Sequence, residues 1–224
     1  LKTRPFLPKS FASAHEVSKI QGVYVPFWLF DGKADAAASY EATRSHRRRQ
    51  GDYMVTTTNH FSVQRAGIIP FEKIPVDGSK KMPNDYMDSI EPFDYSKMVE
   101  YSNAYLPGFL ADVHDESIED CAPRADERAI RSALNQLRST VTGYETVSER
   151  SHQVDLARGK VYYALLPVWM LHSSWQGNDY LFAMNGQTGK MVSNLPTSGK
   201  RFFLKFLQFL IPITAVAVGL SFLF

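Results

Sequence analysis

The sequence predicts an α+β fold: antiparallel sheets in two halves, a helical insertion between them and a C-terminal transmembrane helix. Three observations predict it. Strand-like runs rich in β-branched and aromatic residues lie on both sides of residues 95–141. Within those residues, apolar side chains recur at helical spacing. The last 19 residues, Phe206–Phe224, carry no charge.

The first half covers residues 1–94. Gly22–Phe30 (GVYVPFWLF) is apolar on both faces, as a doubly buried strand is. Ala36–Arg44 and Tyr53–Gln64 continue an antiparallel meander, with turns expected at Asp31-Gly32-Lys33 and Gln50-Gly51-Asp52. Residues 74–92, with Pro75, Asp77-Gly78, Pro83 and Pro92, read as a proline-rich connection. In the helical segment, 95–141, the best helix starts near Pro123, a proline suited to a first helical position. It places Ile130, Leu134, Leu137 and Val141 on one stripe, with Arg124, Glu127, Arg128, Arg131 and Arg138 mostly outside.

The second half, 142–199, is expected to hold strands at Thr142–Leu156 and Lys160–Leu171. A hairpin follows over Asp179–Met184 and Lys190–Ser193, joined by Asn185-Gly186, a pair that suits a type I′ turn. Val25-Pro26-Phe27-Trp28-Leu29-Phe30 and Leu166-Pro167-Val168-Trp169-Met170-Leu171 share one pattern, which leaves duplication and coincidence both open. A strand proline belongs at an edge or bulge, so Pro26 and Pro167 are expected there with the tryptophans packed inward.

The final block, 200–224, is a basic flank and span. Nineteen residues at 1.5 Å rise cover most of a hydrocarbon core of roughly 30 Å. Lys200 and Arg201 precede the span and Lys205 can snorkel, so the positive-inside tendency puts the body in the cytoplasm at the cell membrane. Leu1 in place of a start methionine fits a chain cut from a longer protein.

Composition excludes several classes. The chain has 224 residues, 44% apolar and 21% charged, which rules out disorder, collagen and coiled coil. Lys plus Arg number 25 against 23 Asp plus Glu, so no global field draws this region to nucleic acid, and no nucleic-acid partner is expected. The lone Cys121 permits neither an internal disulfide nor a cysteine-built zinc site, and fits a reducing compartment.

Candidate chemistry is sparse. His46 with Arg47, Arg48 and Arg49 forms a basic run beside a turn, either a solvated turn or a contact for anionic lipid or a partner. Asp112, Asp115, Glu116, Glu119 and Asp120 lack the alternation and central glycine of a calcium loop, and fit a charged helix start better. His114-Asp115 and His172 near Ser173-Ser174 invite comparison with a triad, but no G-x-S-x-G, HExxH, P-loop or dinucleotide fingerprint accompanies them. Cys121 has acidic neighbours in Glu119 and Asp120, which raise a thiol pKa, so it reads as inert. Trp28, Trp169 and Trp175 lie in strand-like segments without a basic stripe, so they read as core and sheet-face residues.

The runs GVYVPFWLFD, IEPFDYSKMVEY, AYLPGFLAD, STVTGY, YALLPVWML and FAMNGQTGK, in that order, resemble bacterial membrane proteins described as TFIIB-type zinc-ribbon-containing proteins. The resemblance implies a cysteine-rich zinc ribbon before this region and hydrophobic segments after it. It also implies a place among SPFH-domain and phage-shock-type envelope-stress proteins. This chain has no CxxC pair, so no metal or cofactor residue carries over; the ribbon the resemblance implies is lost, cleaved or left out of this chain, and zinc is expected only if such a region precedes it. The final strand–NGQTGK–strand hairpin is also similar, over a short stretch, to the terminal hairpin of PepSY-like domains.

The function expected on these grounds is a membrane-anchored, non-enzymatic adaptor or scaffold that meets other membrane-associated proteins. The alternatives are nucleic-acid binding through the absent zinc ribbon and, more remotely, a cryptic hydrolase.

Overall fold

The computed structural model describes residues 20–175, 177–194, 199, 202–210 and 212. The elements are β1 (Gln21–Gln50), β2 (Tyr53–Asp77), α1 (Asn84–Ser89), β3 (Phe109–Ala111), α2 (Ile118–Ser139), β4 (Thr146–Trp175), β5 (Asn178–Asn185) and β6 (Met191–Ser193). Their hydrogen-bonded order is β2-β1-β4-β5-β6, with β3 parallel on the start of β1 and the β1–β2, β4–β5 and β5–β6 pairs antiparallel.

The chain forms two compact units that interleave in sequence, so neither matches the serial blocks 1–94, 95–141 and 142–199. One, the helix unit, is Val25–Met82 with Asp112–Leu165. The other, the hairpin unit, comprises the chain up to Tyr24, Pro83–Ala111 and the chain from Leu166 onward.

In the helix unit, β1 and β2 pair from Phe27↔Asp77 to Gln50↔Tyr53. Along β1 the period of two is strict: Ala34, Ala36, Ala38, Tyr40 and Ala42 are buried, while the residues between them face outward. Helix α2 lies on the buried face, and its contact stripe is Cys121, Ala122, Ala125, Ala129, Ala133 and Leu137. Alanine on both surfaces lets helix and sheet approach closely. The larger Ile130 and Leu134, expected to form the stripe, are only half-buried at its margin.

Several sequence expectations are corrected here. Asp31-Gly32 is no turn: β1 runs straight through it, with a bulge in which Glu72 and Lys73 oppose Asp31. Lys73 takes φ 55° and donates its N–H to Asp31 Oδ1 at 2.7 Å. Gly32 is required by close approach, since a Cβ there falls 2.4 Å from the Phe71 ring and 2.7 Å from the Ala157 carbonyl oxygen. Gly159, between the two strands expected from 142 to 171, likewise faces the Asp31 carbonyl, 3.1 Å from where its Cβ would be. Those two strands are one, β4. Helix α2 begins five residues before Pro123, at a capping box in which Ser117 and Asp120 bond each other's backbone N–H. Residues 95–111 are two single 3-10 turns and β3.

In the hairpin unit, Gly22–Tyr24 pair with Phe109–Ala111, and Leu166, Val168, Leu171, Phe182 and Ala183 form the apolar interior with Met87, Ile90 and Phe93. The expected β5–β6 hairpin is present, but Asn185-Gly186 does not form its positive-φ turn: only Gly189 there has positive φ, at 73°. Buried Asn185 holds the turn by its side chain instead. Its Oδ1 accepts from the N–H groups of Gln187 and Thr188, and its Nδ2 donates to the carbonyls of Ile90 and Pro92.

The two Pro-x-Trp segments make the same local pairing, one in each unit. Pro26 O accepts the N–H of Gly78 at 2.9 Å while Phe27 faces Asp77, and Pro167 O accepts the N–H of Gly186 at 2.8 Å while Val168 faces Asn185. Both prolines thus sit just past a ladder's end, where no N–H is needed, rather than at bulges or outer edges. Both tryptophans are half-buried, opposite the core residues on either side of them.

The expected fold class with a membrane helix is also corrected. The chain is mostly antiparallel sheet, and among the described residues no helix is long and apolar enough to cross a membrane. Of the proposed span Phe206–Phe224, only 206–210 and 212 are described; the helical stretch 202–210 covers about 14 Å, against a core of roughly 30 Å. Lys200 and Arg201 lie outside the described residues, and Lys205 is exposed on that stretch.

Candidate functional site

The surface feature that stands out is a two-stranded ribbon in the helix unit. Glu145 donates its N–H to Thr43 O, and the Thr146 hydroxyl lies in hydrogen-bond contact with that of Thr43, so β4 begins level with Thr43. Beyond it, among the described residues, Arg44–Gln50 pair with Asn59–Tyr53, a ribbon about 24 Å long closed by Gly51 at φ 62° and Asp52. Nearly every residue on it is exposed.

Charge that is nearly balanced along the whole chain is unequal here. Arg44, His46 and Arg48 share one face of the ribbon and Arg47 and Arg49 the other, with Asp52 as the sole acid. Arg44 is anchored: its guanidinium donates to Gly143 O and lies over the rings of Phe61 and Tyr144, at 6.0 and 5.5 Å from their centroids. Arg49 Nε donates to Gly51 O at 3.0 Å, which stiffens the tip. Tyr53, Met54 and Val55 expose apolar surface beside these cations.

At the base of the ribbon, on the uncovered sheet face, a shallow cleft of about 350 Å³ is lined by Ser39, Glu41, His60, Phe61, Ser62 and Arg150. Glu41 accepts from His60 Nδ1 at 3.2 Å and pairs with Arg150 through its other oxygen. The His60 and Arg150 side chains are largely exposed, so these pairs orient the carboxylate and contribute little stability. Ser39 and Ser62 are near, yet among the described residues no hydrogen bond joins either hydroxyl to His60, so the cleft lacks the nucleophile–base link of acyl-transfer chemistry.

The other sequence candidates have local partners. His114 packs edge-on against Trp28 and Tyr163, with centroids 5.1 and 5.3 Å away, while Trp28 Nε1 donates to Glu116 O. His172 is exposed on β4, opposite Leu181 in the hairpin unit. The Ser173 and Trp175 side chains lie outside the described residues. Trp169 packs on Phe109 at 5.2 Å.

The acidic stretch clasps the loop after β2. Asp112 accepts from Ser79 Oγ and Lys81 Nζ, Asp115 from Lys80 N–H, and Asp120 from Ser117. Burial pushes the Asp112 carboxyl up, but the bonds from Lys81 and Ser79 outweigh it and hold it below the usual range. Among the described residues no cluster of three or more His, Cys, Asp or Glu is placed to hold a metal ion.

Sequence reasoning missed Asp77 and misplaced Arg124 and Arg128. Asp77 is fully buried and takes Arg124 Nη2 at 2.8 Å, and Arg128 donates to Pro75 O. The available signal was the likeness of Val76-Asp77-Gly78 to Met184-Asn185-Gly186, each ending a strand that faces a Pro-x-Trp segment. Beside Asp77, burial drives the Cys121 thiol up to about 11, with Glu116 adding to the effect.

Comparison with known proteins adds little to this geometry. No family model matches the chain, and so none for the expected zinc-ribbon family. No solved structure matches it. The chain is 37% identical over 191 residues to the uncharacterized protein YdjG of Bacillus subtilis (strain 168), a match covering 85% of this chain. It spans 56% of that relative's length, so the chain corresponds to little more than half of the curated protein it resembles.

Proposed function

We propose that this chain is a non-enzymatic interaction module, an adaptor or scaffold whose contact element is the β1–β2 ribbon. The observation that carries the reading is the ribbon itself: a projecting pair of strands with exposed Arg47, Arg48 and Arg49 beside exposed Tyr53 and Met54. Two strands wet on both faces gain little from their own packing, and arginine with tyrosine is the composition of binding hot spots. The partner this surface suits is a protein with an acidic, partly apolar patch.

A second reading follows from the same arginines. A surface contact with anionic lipid on the cytoplasmic side of the cell membrane gains about 1 kcal/mol per basic residue near the headgroups. Affinity capture with the complete protein, comparing wild type with Arg47→Ala/Arg48→Ala/Arg49→Ala, tests both. The adaptor reading expects a discrete protein partner lost in the triple variant. Equal recovery with both baits would end it. Binding to anionic vesicles with no protein partner would favour the lipid reading.

A further inference from the structure

We infer that β2 is a homotypic docking edge, on which a second copy of this chain adds its own β2 antiparallel about a two-fold axis at Phe61. Among the described residues β2 is hydrogen-bonded on one side only, to β1, and lies at the end of the strand order. Such an edge presents a row of backbone donors and acceptors, which monomeric proteins blunt with charge, proline or a short strand. Here Tyr53–Ile69 contains no proline and a single formal charge, Arg65; Pro70 ends the stretch.

The occupant is written in the pattern of that stretch. Four of its large apolar side chains are exposed, and they sit at its two ends: Tyr53, Met54 and Val55 at one, Ile68 at the other, with Met54 at 65% and Ile68 at 67% exposure. A two-fold axis at Phe61 sets Met54 opposite Ile68 of the second copy and Tyr53 opposite its Ile69. Partners then share a sheet face, because positions that sum to an even number have the same parity. Arg65 meets Thr57, so no like charges face each other.

The same register solves the ribbon's weakness. Each projecting arm, two strands wide in isolation, is laid along the body of the other copy and becomes part of a wider sheet. The two arginine tips end up about 40 Å apart along the strands, beyond the reach of screened repulsion. A parallel arrangement would bring both tips together and leave Met54 and Ile68 unmatched.

The test uses complete chains carrying one substitution each. Chains with Met54→Cys are mixed with chains carrying Ile68→Cys and treated with a short thiol-to-thiol linker; native Cys121 is buried and does not compete. Opposed side chains in an antiparallel pair lie about 5 Å apart, so the mixed pair should link and neither variant should link to itself. Sedimentation equilibrium should show a dimer that Thr56→Lys/Ala66→Lys weakens several-fold and Thr56→Lys/Ala66→Glu restores, because positions 56 and 66 face each other. Both are exposed, so the fold tolerates the changes. A monomer throughout the concentration range, self-linking of Met54→Cys chains, or no rescue by the opposite charge would each overturn the proposal. None of these outcomes bears on capture of a partner by Arg47–Arg49.

Discussion

Replacing Gly32 with alanine separates a glycine of close approach from a glycine of a turn. The new Cβ falls 2.4 Å from the Phe71 ring tip and 2.7 Å from the Ala157 carbonyl oxygen. The half-buried ring can swing aside; the carbonyl belongs to the neighbouring strand and can yield only if the sheet shifts. Overpacking of this kind costs about 1–3 kcal/mol. Gly67, in the same strand pair, has nothing within 4 Å of its added Cβ, and alanine there restricts the unfolded chain, leaving stability unchanged or raised by up to about 1 kcal/mol. Urea unfolding of both variants should show a lowered midpoint with unchanged slope for Gly32→Ala alone. If the two variants unfold within about 0.5 kcal/mol of each other, the reading of Gly32 as a packing glycine is refuted.

Other outcomes follow from the same packing. Ser117→Ala removes the cap of α2 and should cost about 1 kcal/mol, read as a lowered melting temperature with unchanged helix signal at 20 °C. Arg124→Met removes one charge-assisted bond from the fully buried Asp77 and should cost about 3 kcal/mol in urea unfolding, whereas exposed Arg131→Met should cost under about 0.5 kcal/mol. The Cys121 thiol titrates at about 11 in the fold against an ordinary 9.0, so the unfolded chain loses its proton first. Stability contributed by the protonated thiol is therefore full below about 9 and falls by at most about 1.4 kcal/mol per pH unit until about 11. Unfolding measured from pH 8 to 11 should show that decline in wild type and a shallower one in Cys121→Ala.

What the sequence made legible was punctuation backed by one unambiguous physical cause. Gly51 closes the β1–β2 pair where a tight turn is needed, and the strand–NGQTGK–strand run does form the β5–β6 hairpin. Gly32 and Gly159 carry the same letter for another reason, close approach of neighbouring strands, and so two long strands read as four. The α2 stripe was misjudged because alanine contributes little hydrophobicity, yet Ala125, Ala129 and Ala133 are what a close helix–sheet contact requires. The start of α2 is written in the Ser117-x-x-Asp120 capping box, whereas Pro123 lies inside the helix. Of the candidate site, Arg47, Arg48 and Arg49 were visible as a run; their placement on both faces of a projecting ribbon depended on where β4 begins, a tertiary fact.

The most direct test of the interaction-module account is a photo-activatable side chain placed at position 48 of the complete protein in living cells, with position 131 on α2 as the control. The account predicts one discrete cross-linked protein from position 48, absent from position 131 and lost when Arg47 and Arg49 are also replaced by alanine. Identical product patterns from the two positions, or no product from position 48, would contradict it.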